Sequence, residues 1–201
     1  LEPHNLGKAR QLPLEDKVNP DEIQIFFVNG VLDVDASDIN ISDSGLDVIS
    51  MREKSVDDQE WVQQLFGELE ASSHDHIKRP LAAYNTACAT EGLFIRVKRK
   101  EIRRVVINYI GSGSNSDAII HHLIKLEADT SLTLIEKGEG ASRISRVTEV
   151  ELLTNGCLNH IRLFGDNTLS DVLNQVFVRQ SKKSIYNVFK PFHTYGVLGF
   201  W

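Results

Sequence analysis

The chain repeats itself. Aligned at a spacing of 26 residues, 118–135 fall on 144–161 with Ile124 over Val150, Leu126 over Leu152, Asp129 over Asn155 and Leu132 over Leu158. A third copy keeps the spacing at first, with Val176 under Val150 and Val178 under Leu152, and then slips so that Ile185 follows Leu158 after 27. Each copy reads strand, polar turn, strand, the turns being Ala128-Asp129-Thr130, Thr154-Asn155-Gly156 and Gln180-Ser181-Lys182-Lys183. A unit this short cannot bury an apolar face by itself, so its copies must stack, and a period near 26 built of short strands suits one coil of a parallel β-helix. Propeller blades need about 40 residues, and the leucine-rich consensus is missing. Stacked coils lie about 4.8 Å apart, which predicts an inner column of Ile124, Val150 and Val176 and an outer contact between Lys125 and Glu151.

Upstream of the repeat the pattern differs. Residues 1–20 are polar, contain Pro3, Pro13 and Pro20 and lack periodicity, which predicts an extended lead-in. Ile25-Phe26-Phe27-Val28, then Asn29-Gly30, then Val31-Leu32-Asp33-Val34 predicts a hairpin, because a type I′ turn needs positive φ at both central residues and Asn-Gly tolerates it. Residues 35–56 are turn-rich. Trp61, Val62, Leu65, Phe66 and Leu69 then recur at helical spacing behind the acidic pair Asp57-Asp58, predicting one helix to about Ala71. Pro80 opens a second, from Leu81 to about Ala89, whose Ala-rich face with Asn85 suits close packing. From Leu93 onward nearly every segment reads as strand. The expected fold is mainly β: a small mixed α/β N-terminal region (21–92) followed by an incomplete right-handed parallel β-helix (93–201).

Composition narrows the function. Lys+Arg of 22 against Asp+Glu of 28 leaves a net charge of −6, which disfavours a nucleic-acid or anionic-membrane surface. No apolar run approaches the roughly 18 residues that a membrane span needs. The two cysteines, Cys88 and Cys157, lie far apart and in no CxxC, so neither a disulfide framework nor a Cys-rich zinc site is expected, and a reducing compartment, the cytoplasm, fits. The start Leu1-Glu2-Pro3-His4 carries no secretory pattern.

Three segments, in order and running into the repeat, resemble the SufB/SufD family, the β-helical scaffold subunits of iron–sulfur cluster assembly. They are Phe26-Phe27-Val28-Asn29-Gly30, Leu81-Ala82-Ala83-Tyr84-Asn85-Thr86-Ala87 with Glu91-Gly92-Leu93-Phe94-Ile95-Arg96-Val97, and Leu132-Thr133-Leu134-Ile135-Glu136. The stretch 137–142, where the SufB branch carries a sulfur-handling cysteine, has none here, so the chain looks SufD-like. The resemblance implies a non-catalytic scaffold that pairs with a SufB-like paralogue and a SufC-like ABC ATPase. It implies no resident cofactor in the isolated chain, and an iron–sulfur cluster held only transiently in the assembled complex. Family members continue into a C-terminal helical segment that docks the ATPase, so the chain reads as truncated. Its last coil and apolar tail then predict self-association through residues 185–201.

Several residues are candidates for chemistry. His74-Asp75-His76 has the spacing of two ligands from an extended segment but no third ligand nearby, and reads as a polar loop. His121 and His122 lie in a strand and point to opposite faces, so they cannot chelate together. Cys88 has no basic neighbour. Cys157, with His160 three residues on, is the better candidate for ligand or sulfur chemistry. Gly111-Ser112-Gly113-Ser114-Asn115-Ser116 follows a strand, yet neither GxxxxGKS nor GxGxxG is present. Lys98-Arg99-Lys100 with Arg103-Arg104 is a basic cluster, read as a solvated turn or a surface for an acidic partner. Glu149 and Glu151 share a strand face about 7 Å apart, within general acid/base range, which frames the alternative of a β-helical carbohydrate-active enzyme. Against that alternative, Lys125 beside Glu151 would keep it ionised. A plain interaction module is the third reading.

Overall fold

The computed structural model describes residues 19, 21–39, 41–42, 45–53, 59–73, 78–100, 103–111, 116–163 and 171–189. The fold is mainly β, built of two six-stranded mixed sheets and a short helical region. The first sheet runs β12 (Ile185–Phe189), β10 (Cys157–Leu163), β8 (Ser131–Lys137), β6 (Arg104–Ile110), β1 (Glu22–Val28), β2 (Val31–Leu32). The second runs β11 (Asp171–Gln180), β9 (Arg143–Leu152), β7 (Asp117–Leu126), β5 (Leu93–Val97), β4 (Leu46–Ser50), β3 (Ile41–Ser42). From β5 onward the chain alternates between the sheets, and each strand pairs in parallel with the strand two further on. The N-terminal region contributes to both sheets, since β1 lies parallel to β6 and β4 antiparallel to β5. Among the described residues no helix is long and apolar enough to cross a membrane.

The hairpin forms where expected, with β1 antiparallel to β2 and positive φ at both Asn29 (51°) and Gly30 (83°). The repeat spacing also holds between β7 and β9, where Ile124 pairs with Val150 and Leu126 with Leu152, and between β8 and β10, where Leu132 pairs with Leu158. The third copy is displaced from the expected register. Val178, not Val176, lies beside Val150, and Cys157, not Leu158, lies beside Ile185. The preceding repeat is longer too, with Phe94 beside Leu123 and Arg104 beside Thr133. Both sheets therefore share one sequence of offsets, 29, 26 and 28, so the additional residues fall between Ile110 and Asp117 and between Leu163 and Asp171. The opposite corner keeps a constant length. There Asp129, Asn155 and Lys183 occupy the left-handed region at φ 59°, 59° and 58°. Asn155 Nδ2 donates to Asp129 Oδ1 at 2.7 Å, and the Asp129 and Asn155 amides donate to Thr154 and Lys182 carbonyls. Asn and Asp adopt this conformation at low cost, which is why the turns recur.

Two apolar layers result. Between the sheets lie Ile25, Phe27, Leu46, Ile95, Val105, Ile124, Leu134, Val150 and Leu158, all buried. Outside the second sheet, Trp61, Val62, Leu65, Leu69 and Ala82 pack on Ile49, Phe94, Leu123 and Val147. The helix expected to run to about Ala71 is two helices, α1 (Glu60–Leu65) and α2 (Glu68–Ser72), separated at Gly67 with φ 75°. The break has a physical cause. The Glu149 carboxylate rises from β9 and accepts hydrogen bonds from the Gly67 amide (2.7 Å) and the Glu70 amide (2.8 Å), capping α2 from the sheet. The second expected helix forms as α3 (Pro80–Cys88), with Pro80 at its first turn. Its fully buried Asn85 ties adjacent strands together by donating to the Ile120 carbonyl of β7 and the Ser145 carbonyl of β9.

Candidate functional site

Strand parity decides where the titratable residues go. Leu132 and Leu134 face the space between the sheets, so Glu136 does as well. The same rule carries Leu158 to His160 and Arg162 on β10, and Ile144 to Arg146 on β9. Tyr109 and His122 join them from β6 and β7, and all six are buried. This polar core sits within an otherwise apolar interior.

Glu136 is its centre. Its Oε2 accepts from Arg162 Nε at 2.8 Å, stands 3.5 Å from His160 Nε2 and 3.7 Å from Arg146 Nη1. Burial opposes ionisation of this carboxyl most strongly. The Arg162 guanidinium, His160 and Arg146 together overcome that penalty and hold Glu136 well below the usual carboxylate range. The Leu93 amide donates to His122 Nδ1 at 3.1 Å, which leaves the neutral ring its proton on Nε2, directed at the Tyr109 hydroxyl oxygen 2.9 Å away. Burial lowers His122 to about 3, so it stays neutral, and burial pushes the Tyr109 hydroxyl up. His160 Nδ1 meets the Tyr186 hydroxyl at 2.9 Å, and burial raises Tyr186 likewise. The Arg146 guanidinium lies over the Tyr109 ring, 3.7 Å from its centroid. The arrangement fixes charges and hydrogen bonds in a space closed to bulk water.

A second cluster lies on the outer face of the same sheet, under the helices. His121 Nε2 meets Glu149 Oε2 at 3.0 Å, both side chains fully buried, with the Phe66 ring tilted over the imidazole at 4.5 Å. This pair resembles an acid/base dyad in composition. Its carboxylate, however, is committed to the amides of Gly67 and Glu70, and it fastens the helical layer to the sheet.

The other candidates are placed as follows. His121 and His122 do point to opposite faces, one toward Glu149 and the other toward Tyr109. Cys157 and His160 are separated by the same parity: Cys157 lies on the outer face of β10, partly exposed, while His160 is enclosed. Cys88 is exposed at the end of α3. In the basic cluster Lys98 pairs with Asp47 at 2.7 Å and Arg104 with Glu22 at 2.9 Å, which neutralises part of it, while Arg99 and Lys100 are exposed. Lys125 meets Glu151 at 3.0 Å as expected, and Arg179 of the next strand joins at 2.6 Å. Burial works against Glu151 ionising, but the hydrogen bonds from Lys125 and Arg179 lower it on balance. His74-Asp75-His76, residues 112–115 and the tail 190–201 lie outside the described residues. Among the described residues no three His, Cys, Asp or Glu side chains gather in a group that could hold a metal.

Of the polar core only His122 and His160 were sequence candidates, each considered apart from the other; the Glu136–Arg162 pair at its centre was not, although a signal for it existed. In the 26-residue alignment Glu136 falls over Arg162, on the parity of Leu132 and Leu158. An opposite-charge pair at inward positions of neighbouring repeats announces a buried ion pair. In comparisons with known proteins, no family model and no curated protein matches this chain.

Proposed function

We propose that this chain is a SufD-like scaffold subunit of iron–sulfur cluster assembly, working in the cytoplasm, with its alternating sheets forming successive coils of a right-handed parallel β-helix. The observation that carries the reading is the parallel stacking of β7, β9 and β11 in one sheet and β8, β10 and β12 in the other, entered through an Asn-Gly hairpin and a helical layer. That order matches the three segments on which the resemblance rests. Such a body offers long, flat faces and open strand edges for a partner. On the outermost strands Val172, Ile185 and Phe189 are exposed. A SufB-like paralogue covers this end, or a second copy of the chain does, with residues 185–201 in the contact, and a SufC-like ATPase completes the assembly. The cluster is cargo of the complex, formed where two subunits meet.

Weighing against the carbohydrate-active alternative, Glu149 is enclosed beneath the helices and bonded to two amides, so half of its acid/base pair is out of a polymer's reach. The deciding experiment is co-purification of the tagged chain, scored for an ABC-type ATPase and a longer paralogue. Recovery of both supports the scaffold reading. Recovery of neither, from cells that express both, overturns it.

A further inference from the structure

We infer that α3 is the contact helix of a symmetric dimer, its outward face packing antiparallel on the same face of a second copy of this chain. The helix is anchored along one side only. Ala82 and Asn85 are fully buried, and Asn85 is bonded to carbonyls of β7 and β9. The other side turns Ala83, Tyr84, Ala87 and Cys88 outward, with Leu81 beside them; Leu81 is 60% and Tyr84 56% exposed. No charged residue stands between Pro80 and Cys88. The neighbouring helices are built differently: Trp61, Val62, Leu65 and Leu69 are buried, while Gln63, Gln64 and Glu68 meet solvent. An apolar, uncharged helix face held on a fixed mount marks an interaction surface.

Charge selects the occupant. α3 has no acidic residue in its first turn and no basic residue in its last, so neither end of its dipole is complemented along the chain. A second copy laid antiparallel opposes the two dipoles. It also brings its exposed Lys78, just ahead of its own Pro80, to the C-terminal carbonyls of the first helix. The exchange is mutual, as a two-fold axis requires. A face without charge sets no like charges together when it meets itself. Side-chain size then fixes the register. Tyr84 and Ala87 lie farthest from the anchored side, and the Tyr84 ring fills the room over Ala87 of the second copy, which sets Ala83 opposite Cys88 of the second copy. A helix of 9 residues offers a contact about 13 Å long. That is short of a standard interface, so the dimer is weak and concentration-dependent.

The inference stands apart from the scaffold reading, whose self-association uses the terminal strands, and variants of the whole chain tell the two contacts apart. In sedimentation equilibrium, Tyr84→Lys is expected to weaken dimerisation by roughly tenfold or more, and Ile185→Lys on the terminal strand to leave a dimer in place. Tyr84 and Ile185 are both exposed, so circular dichroism should match the unsubstituted chain. Mild oxidation of Ala83→Cys, in a chain that also carries Cys157→Ser, is expected to join two copies by a disulfide that mass spectrometry maps to positions 83 and 88. Dimerisation that Ile185→Lys abolishes and Tyr84→Lys leaves intact belongs to the terminal strands and overturns the inference. A chain that stays monomeric at ~1 mM, leaving the face to a different protein, overturns it as well. So do dimers in which no bridge between positions 83 and 88 forms.

Discussion

The two sheets differ in what covers them. In the first sheet β8 and β10 pack on one face, alternating residue by residue between buried and partly exposed. In the second, the helices close the outer face too, and β7 and β9 are buried without interruption from Ile120 to Ile124 and from Arg146 to Val150. The same repeat therefore contains one strand written as an alternation and one written as a continuous run, as expected for strands with one and two covered faces. A covered outer face also gives the second sheet a place for groups that solvent would otherwise screen, and His121 and Glu149 occupy it.

The sharpest way to break this comparison is to put a charge on each kind of face. Val150→Asp places a carboxylate in the inner column between Ile124 and Val178 with no cation beside it, and is expected to destabilise the fold by about 4 kcal/mol. Thr133→Asp, on the open face of the first sheet between Arg104 and Asn159, is expected to stay within about 0.5 kcal/mol. Chemical denaturation of the two variants checks both, and equal losses would show that the faces are not distinguished by burial. Next in size is the link between the covered face and its helices. Glu149→Ala leaves the Gly67 and Glu70 amides without acceptors and His121 without its carboxylate, at an expected cost of about 3 kcal/mol. Hydrogen exchange should report it as faster exchange at 60–72, with β8 and β10 little changed.

Acid probes the inner face. His122 in the folded chain titrates near 3 against 6.5 when unfolded, so between those values the unfolded state binds the extra proton and stability rises with pH. Glu136 acts in the same direction below 4.5, because its folded value is also depressed. Lowering the pH from 6.5 to 5 is expected to remove about 2 kcal/mol through His122 alone. His122→Phe should flatten that slope in a series of melting curves. The smallest effect belongs to the outer ladder: Lys125→Ala removes one of two cations from the partly exposed Glu151, for a loss of about 0.5 kcal/mol. Moderate salt should abolish the difference.

How much of this was legible in the sequence follows from the same contrast. The hairpin was readable because Asn29-Gly30 leaves few alternatives to a type I′ turn, and the repeat because the left-handed turns recur at Asp129 and Asn155. The Ile124–Val150 pairing could be read from apolar spacing alone. The third copy's register could not, since its displacement depends on how many residues lie between Leu163 and Asp171, where no apolar pattern constrains the count. Helical spacing from Trp61 to Leu69 gave no sign of the interruption at Gly67, because its cause is a carboxylate 82 residues away in sequence. The Glu136–Arg162 pair was missed for a related reason. Near Leu158–Phe164 polar residues stand at inward positions, which defeats a reading that expects apolar ones there.

The shared offsets of 29, 26 and 28 have a consequence for how such a chain tolerates change. In the last three repeats one corner has a fixed length and a left-handed residue, Asp129, Asn155 or Lys183, so it sets the pitch; the opposite corner, between the first sheet and the second, already absorbs two or three additional residues without disturbing either neighbour's pairing. Length is thus a free variable on one side of the body only. A peptide tag, a binding loop or a whole inserted domain belongs after Ile110 or Leu163, where the strands on both sides keep their partners, whereas a single residue added beside Asn155 would throw the following strand half a repeat out of phase, turning its inward side chains outward.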